Sequence, residues 1–329
     1  MKLKFYGVRG SIPTPGKDTN EFGGNTTCLE VKSDKNDEII IDAGSGIREL
    51  GNSLMGRFKG KVDAKLVITH DHWDHIQGFP FFVPAYVPGC KLDIYSGSKR
   101  VIGNLTDQNR ISDTDFIRRI PVSNLEQEVE SGILNTNDGS NHTKDIFVGQ
   151  QDVDKGYFPI GIDKMGARLV FRDINQYHMI NAGTINLSYT RFNEKAHPGG
   201  MFSYQLAEFG RRMVFTGDYE SENSGKYQFG NNDRKLIDWA WKANALVMDS
   251  QYTPEEYQTK KTWGHSNYEQ ACQLAAEAAV SRLYLTHHDP IHSDNFLKEM
   301  EGKAQHYMKN EVGSNIPVIF AREGLEVEI

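Results

Sequence analysis

The residues that most limit what this chain can be are Thr69-His70-Asp71-His72-Trp73-Asp74-His75. His70, His72, Asp74 and His75 pack four potential metal ligands into six residues. Two imidazoles one residue apart can converge on one ion from a tight loop, which leaves Asp74 and His75 to face a second. The run follows residues 65–69 (KLVIT), which read as a buried strand. His70 is therefore delivered at the C-terminal end of a strand, where α/β folds place their chemistry.

The rest of the chain repeats that arrangement. Short strand patterns at 3–6, 27–31 and 38–41, separated by Gly/Asn/Asp punctuation, predict an antiparallel opening meander whose last strand ends in Asp42-Ala43-Gly44-Ser45-Gly46. Ser45 is expected to cap a short helix through Ile47, Leu50 and Leu54. Strand patterns resume at 168–171, 185–192, 202–207 and 212–216, and a helix over 232–243 leads into a strand at 245–249. Residues 267–280 carry apolar side chains at helical spacing, and the strand 283–286 runs straight into His287-His288-Asp289-Pro290.

Between about 97 and 161 the pattern breaks down. Residues 101–160 hold ten acidic side chains against five basic ones, so this stretch is predicted to be an acidic insertion on a single domain spanning 1–329.

Charge narrows the partners. Lys and Arg total 37 against 44 Asp and Glu, a formal net charge of −7, so no global positive field draws the chain onto long nucleic acid or anionic lipid. A small anionic substrate would have to be held locally. Cys28, Cys90 and Cys272 are odd in number and far apart, with no CxxC pair, which predicts buried reduced thiols. The first residues lack the apolar run of a signal peptide, and no stretch approaches the roughly 20 apolar residues of a membrane span. The expectation is a cytoplasmic protein without a membrane segment.

The His70–His75 run after a short apolar strand resembles the signature of the metallo-β-lactamase superfamily. Asp42 matches the Asp that precedes the run in that family. Downstream, His197 in Ala196-His197-Pro198-Gly199-Gly200 resembles its third histidine ligand, Asp218 in Thr216-Gly217-Asp218 its bridging carboxylate, and His287 in Leu285-Thr286-His287 its last ligand. The resemblance implies an αββα sandwich of two mixed β-sheets flanked by helices. It also implies two divalent ions, one held by His70, His72 and His197, the other by Asp74, His75 and His287, with Asp218 shared. Imidazole and carboxylate donors without a thiolate suit Zn²⁺, with Mn²⁺ and Fe²⁺ as alternatives. His288 remains the alternative to His287 by a shift of one residue.

Ligand order is common to lactamases, glyoxalases, lactonases and phosphodiesterases, so other residues must choose the branch. Trp263-Gly264-His265 resembles the extra histidine of the ribonuclease Z and cyclic-nucleotide phosphodiesterase branch, and Asp249 resembles the carboxylate that orients it. The openings Phe5-Tyr6-Gly7-Val8-Arg9-Gly10-Ser11-Ile12-Pro13 and Phe22-Gly23-Gly24-Asn25-Thr26-Thr27-Cys28 are similar to those of the same members.

The resemblance implies a hydrolase in which a hydroxide shared by two ions attacks a phosphodiester. His265, Asp249 and Asp74 are its catalytic groups, with His265 the acid for the leaving oxygen. The absence of an evident basic arm points to a cyclic nucleotide or other small phosphodiester, with long nucleic acid disfavoured and a homodimer as the expected assembly. The competing expectations are an ester, thioester or lactone hydrolase on the same metals, and a non-catalytic ligand-binding sensor. Phe81, Phe82 and Tyr86 are the sequence's candidates for a base-stacking surface, with core packing as their other role.

Overall fold

A computed structural model of the chain describes residues 1–97, 142–174, 179–192 and 200–329. Alternation in the first strand sets the plan. In β1 (Lys2–Gly7), Leu3 and Phe5 are buried while Lys2 and Lys4 stay partly exposed, the period-2 pattern of a sheet with one face in the core. β1 pairs antiparallel with β2 (Cys28–Lys32), which pairs antiparallel with β3 (Glu38–Ile41). β4 (Asp63–Val67), β5 (Lys91–Ser96) and β6 (Arg168–Asp173) then extend the sheet in parallel, and β14 (Glu326–Glu328) closes its other edge.

The second sheet repeats this mixture in reverse. β7 (Ile180–Ala182), β8 (Ile185–Phe192), β9 (Met201–Glu208) and β10 (Arg211–Phe215) are antiparallel neighbours. β11 (Ala245–Asp249), β12 (Leu283–Thr286) and β13 (Val318–Phe320) run parallel to β10. Each sheet thus has seven strands among the described residues.

Three apolar layers hold the sandwich. Leu3, Phe5, Val67, Tyr204, Phe215 and Val247 fill the space between the sheets. The first sheet's outer face is covered by α1 (Ile47–Phe58) with the short α2 (Trp73–Ile76) and by α3 (His142–Gln150), which contribute Leu50, Leu54 and Phe147. The second sheet's outer face is covered by α4 (Asn231–Trp239), α6 (Tyr268–Glu277) and α7 (Asp294–Asn310), with the single turn α5 (Pro254–Tyr257) before α6. This is the predicted αββα sandwich. Full burial of a Leu or Phe in such a layer contributes about 1.5–3 kcal/mol, so these layers fix the position of every strand end.

Two local expectations change. Ser45 does not cap α1: the cap position is Gly46, and Ser45 Oγ instead accepts from Thr26 N at 3.0 Å and donates to Asn25 Oδ1 at 3.0 Å, tying the loop after β3 to the loop before β2. Of the predicted acidic insertion, residues 98–141 lie outside the described residues, whereas α3 packs Phe147 fully into the core and Thr143 bonds Asp173. That helix is part of the helical layer. The three cysteines are buried thiols. Among the described residues no helix is long and apolar enough to cross a membrane.

Candidate metal centre

The described residues of the predicted site sit at or just past the C-terminal ends of strands, in the short helix α2, or in a loop packed beside them. Asp42 directly follows β3, and its backbone turns into the left-handed region at φ 62°. Its carboxylate accepts from Thr69 N at 2.7 Å, from Thr69 Oγ1 at 2.9 Å, and meets His75 Nδ1 at 2.8 Å. Asp42 therefore lies behind the site, fixing the ring of His75 and the start of the histidine run.

β10 ends in Thr216-Gly217-Asp218, and Gly217 at φ 69° has no room for a side chain: a Cβ would meet Met201 Sδ at 2.8 Å. β12 ends at Thr286, and His287 follows at φ 64°. The Val8–Ile12 region closes over these groups. Ser11 N donates to Asp74 Oδ2 at 2.8 Å, and a Cβ on Gly10 would lie 2.5 Å from the His287 ring. Arg9, wholly buried, anchors the segment by donating to the carbonyls of Gly23, Asp289 and His292.

Two groups of ligand-capable atoms share Asp218, one of Asp74, His75, Asp218 and His287 and one of His70, His72 and Asp218, and a third joins Asp218 to Asp249 and His265, the atoms of each group within 4.8 Å of one another. Asp218 Oδ1 lies 3.2 Å from His75 Nε2 and 3.3 Å from His287 Nδ1, while Oδ2 lies 3.4 Å from His70 Nε2. Asp74 Oδ2 lies 3.3 Å from His75 Nε2.

The donor set suits divalent cations. His75 Nε2 is fully buried and makes no hydrogen bond among the described residues, although two carboxylate oxygens stand beside it. Burial opposes charge on His75, but Asp218, Asp74 and Asp42 outweigh it and hold a proton there well above the ordinary range. The same excess of negative charge would hold a dication with the ring neutral. Burial, reinforced by the His75 charge, lowers His70 to about 4, and burial lowers His287 to about 3. Both imidazoles are neutral at pH 7 and present lone pairs.

Beside this cluster stands the second predicted pair. His265 Nδ1 lies 2.6 Å from Asp249 Oδ2, and the carboxylate is fixed in turn by Tyr219 N at 3.2 Å and Gln251 N at 2.9 Å. The His265 ring stacks on His287 at 4.9 Å and 21°. Burial lowers the basicity of His265, but Asp249 outweighs that and raises it to about 9, which fixes a proton on Nδ1 facing the carboxylate.

Of the remaining predictions, His197 lies outside the described residues. His288 turns away from the cluster: its Nε2 pairs with Ala321 O at 2.8 Å and its ring stacks on Phe320. His292 pairs with Glu256 at 2.9 Å. Phe82 belongs to the core, and Phe81 packs edge-on against Phe158. Sequence reasoning missed the roles of Gly10, Ser11 and Glu220. The first two lie in the Gly-Val-Arg-Gly-Ser opening, whose glycine spacing was the available signal; Glu220 had none.

No protein-family profile matches the chain. A ribonuclease Z of Lactococcus lactis subsp. cremoris is 24% identical over 297 residues, covering 87% of this chain and 88% of that protein. The metallo-β-lactamase fold protein YhfI of Bacillus subtilis superposes with a TM-score of 0.60 at 16% identity, over 99% of both chains. The chain has the metallo-β-lactamase fold, and over most of its length its sequence is similar to ribonuclease Z proteins. A diphosphatase of the PhnP family has the same architecture, with a TM-score of 0.57 at 13% identity over 100% of this chain and 97% of that one. Residues that follow or end β4, β10, β11 and β12 are thus brought together, the two ligand groups beside the His265–Asp249 pair.

Proposed function

We propose that this chain is a binuclear-metal hydrolase of phosphodiesters. The observation that carries the reading is the His265–Asp249 pair at 2.6 Å, stacked on His287 and grouped with Asp218. A hydrolase of esters or lactones has no evident need for a carboxylate-held imidazolium at that place.

In this reading His70, His72 and His197 would hold one ion and Asp74, His75 and His287 the other, with Asp218 available to both. When bound, two divalent ions, Zn²⁺ before Mn²⁺ or Fe²⁺, neutralise the phosphate's non-bridging oxygens and lower the pKa of a shared water. The protein's own groups do the rest. Asp249 holds the His265 proton on Nδ1, so that Nε2 carries the second proton toward the departing oxygen, and the transfer leaves a neutral ring in the tautomer the carboxylate favours. Asp42 and Ser11 N hold His75 and Asp74 in register for their ion.

The substrate class is a nucleotide phosphodiester, cyclic or short. The net charge of −7 supports a small substrate. The relatives named ribonuclease Z lean the other way, so cleavage at an RNA end is the second reading.

The test is elemental analysis of the purified chain, with turnover of bis-p-nitrophenyl phosphate, 2′,3′- and 3′,5′-cyclic nucleotides, a precursor RNA and a lactone by wild type and His265→Ala. Two ions with His265-dependent phosphodiester cleavage support the reading. Two ions with lactone turnover alone, or full phosphodiester activity in His265→Ala, overturn it.

A further inference from the structure

Directly before His265 the chain makes a turn that folding does not explain. Thr262, a β-branched residue, sits at φ 71°, and Gly264 sits at φ 97°. A left-handed β-branched residue stores strain and persists only where its surroundings over-determine it. Here the surroundings are one carboxylate. Glu220 Oε1 accepts from Thr262 N at 2.7 Å and from Tyr257 Oη at 2.9 Å, and Glu220 Oε2 accepts from Gly264 N at 2.8 Å. Between the two clamped amides lies Trp263, whose indole this turn leaves 63% exposed. A chain that only needed a connection from α5 to α6 would have no use for a strained, fully bonded turn that displays a large apolar ring to water.

The clamp is also tied to the metal cluster. Asp218 belongs to both ligand groups, Tyr219 N donates to Asp249, Glu220 holds the turn, and Ser221 N donates to Ser266 Oγ at 3.0 Å, which itself donates to Tyr219 O at 2.5 Å. Four consecutive residues therefore fix the position of Trp263 relative to Asp218 and to the His265–Asp249 pair.

We propose that Trp263 is a stacking surface for a nucleobase on the leaving-group side of the scissile phosphodiester, with Glu220 as the positioning residue that holds it there. The side is assigned through His265, which would protonate the departing oxygen and which Trp263 precedes by two residues in the chain, at the end of the clamped turn. A planar base presents a face that an exposed indole covers in any sequence context, and such stacking changes affinity by roughly five- to a hundredfold. The proposal rests on the phosphodiesterase reading and deepens it, since it names a nucleoside as the leaving group.

The test uses the Zn²⁺-loaded full chain and a dithymidine phosphate, compared with its analogue whose leaving-side sugar lacks the base. Wild type is expected to favour the base-bearing substrate at least fivefold in kcat/KM. Trp263→Ala should bring that ratio near one with metal content unchanged, Trp263→Phe should restore most of it, and Glu220→Gln should reduce it while raising KM more than it lowers kcat. A ratio that survives in Trp263→Ala, or collapses only in Trp73→Ala, overturns the proposal. Calorimetric binding of thymidine monophosphate and of base-free deoxyribose phosphate separates the two failures. If no phosphodiester is cleaved, the phosphodiesterase reading falls, while nucleotide binding that depends on Trp263 still supports the stacking surface and equal binding of both ligands removes it.

Discussion

The two halves of the site are built by opposite means. The ligand run His70–His75 is contiguous: one strand end and one turn of helix carry four groups, and Asp42 braces them from the neighbouring parallel strand. The proposed acid half is assembled from three distant segments, with Asp249 at the end of β11, His265 before α6, and the loop 218–221 between them. A contiguous motif tolerates drift in the rest of the chain because its internal spacing is covalent. An assembled one depends on every hydrogen bond between its parts, and the loop 218–221 supplies several, through Tyr219 N and O, Ser221 N and the Glu220 carboxylate.

Asp218 is where the halves meet, so its loss is the largest effect expected. Asp218→Ala removes a carboxylate that stands 3.2–3.4 Å from three ring nitrogens. Both ions should be lost on dialysis, and kcat/KM should fall by more than the roughly 10⁴-fold ceiling of losing a general acid alone. An Asp218→Ala protein that keeps two equivalents of metal would show that the halves do not share this residue.

His265→Ala separates the halves cleanly. Metal content should match wild type, while kcat for a poor leaving group falls by about 10²–10⁴-fold and the fall is smaller for p-nitrophenolate, which departs without a proton. Equal losses on both leaving groups would remove the acid role and leave His265 as a binding group.

What the sequence made legible follows the same division. The His70–His75 run, Asp218 and His287 each follow an apolar strand pattern, so strand ends and candidate ligands were visible together. His265 and Asp249 were visible through resemblance, but the hydrogen bond between them spans 16 residues and belongs to the fold. Glu220 was invisible because its partners lie 37 to 44 residues away and two of them are backbone amides, which have no residue type to read. The amide of Ser11 on Asp74 escaped notice for the same reason, 63 residues from its partner. The helix at 142–150 was lost in the acidic average of the surrounding stretch, although Phe147 alone commits it to the core.

Asp42 tests how far the contiguous half depends on what lies behind it. Asp42→Asn keeps an acceptor for Thr69 but removes the charge facing His75 Nδ1. Metal affinity should fall by about 10–100-fold, measured by competition with a chelator, with turnover recovered at high Zn²⁺. Unchanged affinity would mean that the His75 ring is held by packing alone.

The smallest effect on activity is expected one residue from a ligand. His287 and His288 are neighbours in the chain, yet the left-handed backbone at His287 sends the two rings to different places. His288 is buried against Phe320 with Nε2 on Ala321 O, and burial lowers its basicity to about 3, so it is neutral in the folded chain at pH 7 and the pairing is N–H to carbonyl. His288→Phe keeps the ring and deletes the donor, leaving Ala321 O without this partner, which should destabilise the protein by about 1–3 kcal/mol and lower Tm. Metal content and kcat should stay within a factor of two or so of wild type, a margin below the tenfold that 1.4 kcal/mol represents. Loss of an ion in His288→Phe would move the last ligand by one residue and break the separation between site and support on which the comparison depends.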